Sequence, residues 1–211
     1  KDINWAGEKV RLVIDCTGAF LDPTLPADYP KGSLRGHLEA GAEKVVVSAP
    51  FKIKDASHLA PEDCATFFYG VNHSSYNPLM HNMISAASCT TTGLAYMIKP
   101  LLDTKETADI ITASMTTVHA ATNNQSILDV PPKAGSKDLR RNRAVFNNII
   151  PTSTGAAIAL EEIIPEIKKV GCMADSIRVP TSTVSLISLN LTFHTIYNKS
   201  GDPIITRDFI N

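Results

Sequence analysis

The chain of 211 residues has no excess of either charge. Its 20 Lys and Arg against 21 Asp and Glu leave a formal net charge of −1. A nucleic-acid binder carries a basic footprint, so no nucleic-acid partner is expected. No run approaches the roughly 18 apolar residues of a membrane-spanning helix, and Lys1-Asp2-Ile3-Asn4-Trp5 has no signal-peptide shape. The four cysteines, Cys16, Cys64, Cys89 and Cys172, form neither a CxxC pair nor a disulfide framework. A reducing, cytoplasmic location without membrane contact is therefore the expectation. Absent too are a GxGxxG after an N-terminal strand and any His/Cys/Asp spacing of a metal site. What remains, 44% hydrophobic and 19% charged residues, is the balance of a folded protein rather than a disordered one.

The first part of the chain alternates strand-like and helix-like pieces. Leu12-Val13-Ile14-Asp15 is a short apolar run stopped by Thr17-Gly18, Ser33 to Ala40 reads as a helix ended by Gly41, and Val45 to Ser48 is a second buried strand. Strand, helix, strand at this spacing predicts a βαβ crossover and a parallel sheet. Phe67 to Val71 is a further strand candidate, as is Met83 to Ala87. Beyond these, Thr90 to Leu102 has helical apolar spacing and Ile110 to His119 is a β-branched strand. Asn123 to Asn148 lacks periodicity, Gly155 to Val170 is an amphipathic helix interrupted at Pro165, and Val184 to Tyr197 reads as a long half-buried strand.

Ser88-Cys89-Thr90-Thr91 is the sharpest chemical feature. A cysteine at a strand-to-helix junction lies beside free N–H groups and the positive end of the helix dipole, surroundings that favour a thiolate. Ser88 and Thr90 offer a cap and hydrogen-bond donors to an anion. The same tetrapeptide also suits a small buried hydrophobe. His119 ends the strand after the cysteine's helix. If both strands belong to one parallel sheet, their C-terminal ends lie side by side and Cys89 faces His119, an imidazole able to move protons. The other five histidines are expected at the surface. Pro151-Thr152-Ser153-Thr154-Gly155 leads into a helix and serves either as an anion site or as ordinary N-capping. Arg178, at a strand end, is either a phosphate clamp or a surface ion pair.

Together these segments resemble glyceraldehyde-3-phosphate dehydrogenase. The resemblance rests on Ala87-Ser88-Cys89-Thr90-Thr91, Met115-Thr116-Thr117-Val118-His119, Ile149-Ile150-Pro151-Thr152-Ser153-Thr154-Gly155 and Arg178-Val179-Pro180-Thr181, in order and spacing. Upstream, Asp15-Cys16-Thr17-Gly18, Leu38-Glu39-Ala40-Gly41-Ala42 and Gly70-Val71-Asn72 resemble the later part of that family's nucleotide domain. The resemblance implies an α/β fold: a partial doubly wound dinucleotide-binding sheet (1–88, the C-terminal part of that domain), then an α+β catalytic domain with a long, mostly antiparallel sheet (89–211).

It further implies Cys89 as nucleophile and His119 as base, with Ser88, Thr90, Thr154 and Gly155 around the attacking phosphate. Thr122 and Arg178 would hold the substrate's own phosphate. Thr17 and Ser48 would stand near the nicotinamide end of NAD, with NADP equally open. The implied reaction is glycolytic oxidation of glyceraldehyde 3-phosphate with inorganic phosphate by a homotetramer. Thr92 departs from the family's usual Asn, and the loop around Pro132 to Ser136 is longer than usual. With no GxGxxG segment and no closing C-terminal segment, the chain is expected to be the central part of such a subunit, inactive by itself. An erythrose-4-phosphate dehydrogenase and a non-catalytic structural relative are the alternatives.

Overall fold

The computed structural model describes residues 3–55, 57–86, 88–123, 125–132, 134–136 and 138–211, apart from the side chain of Arg141. Ala87, at the end of one expected strand, lies outside them. The chain divides into two compact units, Lys1–Thr92 and Gly93–Asn211.

The first unit is a four-stranded parallel sheet in the order β1-β2-β4-β3. Its strands are β1 (Leu12–Asp15), β2 (Lys44–Val47), β3 (Cys64–Thr66) and β4 (Met83–Ser85), with helix α1 (Leu34–Glu39) crossing from β1 to β2. The expected βαβ unit is present. Ser33 caps α1 by accepting the Gly36 N–H at 3.1 Å. Gly41, at φ +109°, turns the chain where an added Cβ would stand 2.6 Å from the Ala6 nitrogen, so only glycine fits. Leu34, Val45, Val47 and Met83 form the buried core, flanked by Phe20, Leu21 and Leu38. Val13 and Asp15 point inward while Leu12 and Ile14 are exposed, the strict alternation of a sheet with one covered face.

The strand expected at Phe67 to Val71 lies earlier, at Cys64–Thr66. Asn72 ends it: its side chain donates to the Thr66 carbonyl at 2.9 Å and accepts the Phe68 N–H at 2.8 Å, turning the segment after Phe67 away from the ladder.

Helix α2 (Cys89–Asp103) leads into the second unit. There β5 (Ile110–Ala120), β6 (Ile150–Thr152), β7 (Cys172–Val179) and β8 (Ser185–Phe193) form a sheet in the order β6-β7-β5-β8. Only β5 and β7 run parallel; the two other pairings are antiparallel, as the mostly antiparallel expectation requires. Helix α3 (Ala156–Ile163) ends before Pro165, which starts a 3-10 turn, and α4 (Arg207–Ile210) is capped by Thr206. Leu94, Ile98, Met115, Leu160, Ile164 and Ile167 are fully buried. Burying each such side chain contributes about 1.5–3 kcal/mol.

One premise of the sequence reading is overturned here. β4 and β5 do not neighbour each other in a parallel sheet: β4 sits between β2 and β3, and β5 lies in the other sheet between β7 and β8. The 11 residues of β5 find partners along nearly their whole length in β7 and β8, which a three-residue strand such as β4 could not supply. Adjacent strand ends therefore give no support for a pairing of Cys89 with His119.

Candidate active site

Cys89 is the first residue of α2 and is exposed, so the reading of it as a small buried hydrophobe falls away. Ser88 caps the helix: its Oγ donates to Thr91 Oγ1 at 2.8 Å and accepts the Thr91 N–H at 3.3 Å, while its carbonyl accepts the Thr92 N–H at 2.8 Å. Thr90 Oγ1 lies 3.9 Å from the Cys89 sulfur. The first turn of α2 carries no acidic residue, so nothing there offsets its positive dipole end.

Cys16 is exposed as well, whereas Cys64 and Cys172 are half-buried. Burial, reinforced by Asp63 and opposed by Arg35, pushes the Cys64 thiol up to about 11. Burial and then Glu161 raise Cys172 as well. Cys64 also donates its S–H to the Pro61 carbonyl at 3.1 Å.

In the first unit, Thr17 and Ser48 stand exposed beyond the C-terminal ends of β1 and β2, where open parallel sheets bind ligands. Both are tied to Asp15. Its Oδ1 accepts from the Thr17 N–H at 2.8 Å and the Thr17 hydroxyl at 2.6 Å, and its carbonyl accepts the Ser48 N–H at 3.0 Å. The Asp-x-Thr spacing of such a turn was visible in the sequence, though the role of Asp15 was not read from it. Asp15 Oδ2 lies 3.6 Å from Nε2 of His37. His37 accepts the Trp5 indole N–H at 3.1 Å and is half-buried, correcting its expected surface position.

The second unit brings His119, Arg178 and Thr122 to one end of its parallel pair. His119 and Arg178 are register partners on β5 and β7, and Nη1 of Arg178 hydrogen-bonds both His119 Nδ1 and, at 3.2 Å, the Ala120 carbonyl. A guanidinium only donates, so a hydrogen bond from Arg178 needs the ring proton on Nε2, whereas one from Nδ1 to the Ala120 carbonyl, 2.8 Å away, needs it on Nδ1.

The loop from β7 to β8 crosses the end of β5. It is pinned there by the Ala120 N–H to the Val184 carbonyl at 3.2 Å and the Ala121 N–H to the Thr181 carbonyl at 3.0 Å. Thr122 follows directly, its N–H and hydroxyl both donating to Gln125 Oε1 at 3.0 Å. Gln125 is buried, and no local pattern marked it.

Thr154 and Gly155 form the entry to α3. Thr154 Oγ1 accepts the Ala156 N–H at 3.2 Å and the Gly155 carbonyl accepts the Ala159 N–H at 2.9 Å, so N-capping is one established use of this segment. The register pairs Arg178 with Ile150, and Thr154–Gly155 follow two residues beyond the Thr152–Ser176 pair. Among the irregular segment's arginines, Arg140 pairs with Asp138 at 3.0 Å and Arg143 with Asp129 at 3.4 Å. Among the described residues no His/Cys/Asp/Glu group suits a metal ion, and no helix is long and apolar enough to cross a membrane.

Residues 88–202 match the family described as glyceraldehyde 3-phosphate dehydrogenase, C-terminal domain. Among curated relatives, the glyceraldehyde-3-phosphate dehydrogenase of Geobacillus stearothermophilus is 44% identical over 190 residues, covering 90% of this chain and 49% of the relative. Glyceraldehyde-3-phosphate dehydrogenase 1 of Bacillus subtilis is 44% identical over 89% of the chain and 48% of its own length. The Streptomyces coelicolor enzyme is 42% identical over 90% of the chain and 50% of its own length. The chain thus spans about half the length of the curated relatives it matches.

Proposed function

The chain belongs to the glyceraldehyde-3-phosphate dehydrogenase family, and from that premise we propose that it carries the catalytic residues of an oxidation of glyceraldehyde 3-phosphate with inorganic phosphate. In this reading residues 1–88 are the C-terminal part of a dinucleotide-binding domain and 89–211 belong to the catalytic domain. The observation that carries it is the exposed Cys89 at the start of a 15-residue helix. A thiolate there is accessible to substrate and faces the helix's free N–H groups.

Cys89 Sγ adds to the aldehyde carbon, forming a C–S bond and a thiohemiacetal. His119 removes the hydroxyl proton as a hydride leaves that carbon, and a thioester remains on Cys89. An oxygen of inorganic phosphate then attacks the thioester carbon. The C–S bond breaks, the thiolate is regenerated, and 1,3-bisphosphoglycerate is released. Arg178 and Thr122 hold the substrate phosphate; Ser88, Thr90, Thr154 and Gly155 surround the attacking one.

NAD, or NADP, would supply the hydride acceptor when bound. Thr17 and Ser48, exposed past two parallel strand ends, suit its nicotinamide portion, and Gly18 leaves open space there. These 211 residues hold no glycine-rich pyrophosphate cradle, so calorimetry on this chain alone is expected to show no tight NAD binding. Assembly into a cytoplasmic homotetramer, with residues 123–148 at subunit contacts, completes the proposal.

Initial rates on the complete protein test it. Turnover of glyceraldehyde 3-phosphate is expected to require phosphate and to vanish in Cys89→Ser, while His119→Asn lowers kcat by about 10²–10⁴. A faster rate with erythrose 4-phosphate would transfer the same chemistry to that substrate. No turnover of either aldehyde would leave a structural relative.

A further inference from the structure

The first unit holds a cavity of about 570 Å³, within the range of small-molecule sites, that the proposed reaction does not use. Its lining includes the rings of Trp5, Phe20 and His37, with His37 centred 6.0 Å from Trp5 and 5.9 Å from Phe20. Two carboxylates, Asp28 and Glu39, share the lining, and no Lys or Arg is among the described residues that line it. We propose that this cavity binds a small organic cation, an ammonium group on a compact apolar body, with the aromatic faces and the two carboxylates supplying complementary negative potential.

The walls are built in advance. The Pro-rich segment between β1 and α1 is anchored at one end by buried Asp22, whose carboxylate accepts from Thr24 N–H, Thr24 hydroxyl and Lys54 N–H at 3.1, 2.6 and 3.1 Å. At the other end, Ser33 Oγ donates to the Pro26 carbonyl at 2.8 Å, and the Gly32 N–H reaches the Tyr29 carbonyl at 2.8 Å. Gly32 has φ +81°, and a Cβ there would stand 2.7 Å from the Phe20 ring, so glycine is what lets that ring occupy the wall. Trp5 is held in turn by its N–H to His37 Nδ1 at 3.1 Å. A preformed aromatic wall binds without the ordering cost that a flexible one carries.

Trp5 is the only tryptophan in the chain, so its emission reports this cavity alone. The test titrates the chain with choline and with its neutral isostere 3,3-dimethylbutan-1-ol at matched ionic strength, and follows Trp5 emission. Saturation-transfer NMR on the ligand methyl groups decides cases where emission does not change. Choline is expected to bind saturably and the alcohol at least about tenfold more weakly. The double variant Asp28→Asn, Glu39→Gln lies at exposed positions and is expected to erase that preference. No saturable binding by either readout, equal affinity for the alcohol, or an unchanged preference in the double variant would overturn the proposal.

Discussion

Arg178 donates a guanidinium N–H to Nδ1 of His119, its register partner on the neighbouring parallel strand. Because arginine offers no acceptor, this contact is a hydrogen bond only with the imidazole proton on Nε2. In the proposed mechanism the ring must accept a proton. A phosphate that draws Arg178 away would release Nδ1 to carry the proton toward the Ala120 carbonyl and free Nε2 as the base.

The tautomer is measurable. Side-chain ¹⁵N shifts of His119 are expected to show the proton on Nε2 in the chain as it stands, and to move toward Nδ1 in Arg178→Ala. Lysine at the same place, which still donates one hydrogen bond, should retain part of the original state. A ring already protonated at Nδ1 with Arg178 in place would refute the assignment.

Thiol reactivity should separate the four cysteines. Exposed Cys89 and Cys16 are expected to alkylate first near pH 8, read by intact mass and peptide mapping. A Cys64 thiol pushed up to about 11 is thiolate in about one molecule per thousand at that pH. Its labelling should climb about tenfold per pH unit until that value is reached. The raised value also fixes a sign: the neutral thiol's contribution to stability is whole below the ordinary 9.0 and is lost as pH rises toward about 11. Cys64 labelling as fast as Cys89 would contradict its burial.

Asp22 should make the first unit acid-sensitive. Burial alone would raise its carboxyl, but hydrogen bonds from the Thr24 hydroxyl and the Lys54 and Thr24 N–H groups outweigh it and hold the carboxyl below its usual range. A depressed folded value stabilises above the unfolded one and is lost as pH falls through the folded one. Asp22→Asn should cost about 1–3 kcal/mol near pH 7, since one amide arm meets the Lys54 N–H as donor to donor. Urea unfolding at several pH values should show the gap between the two proteins closing toward acid. A constant gap would show that ionisation is not its cause.

Two glycines should respond unequally to alanine. At Gly41, φ +109° and the Ala6 backbone both exclude a side chain, so Gly41→Ala should cost about 2 kcal/mol or more. Gly155 has φ −94° and nothing within 4 Å of an added Cβ, so Gly155→Ala should change stability by about 0.5 kcal/mol or less. Thermal unfolding of the pair decides, and equal losses would count against the packing described around Gly41.

Local chemistry made much of this protein legible. The apolar run at Leu12–Asp15, the Ser33 cap and Gly41 stop of α1, the Pro165 break and the Cys89 junction are each written within a few residues, because hydrophobic period, capping and φ restriction act at that range. The tertiary structure alone decided which sheet β5 would join, and with it that His119 meets Arg178 across a strand pair. It also decided that the Asp15 carbonyl reaches the Ser48 N–H of the neighbouring strand. Those outcomes depend on hydrogen bonds between segments far apart in sequence, where the longest available ladder wins and no local periodicity records the partner.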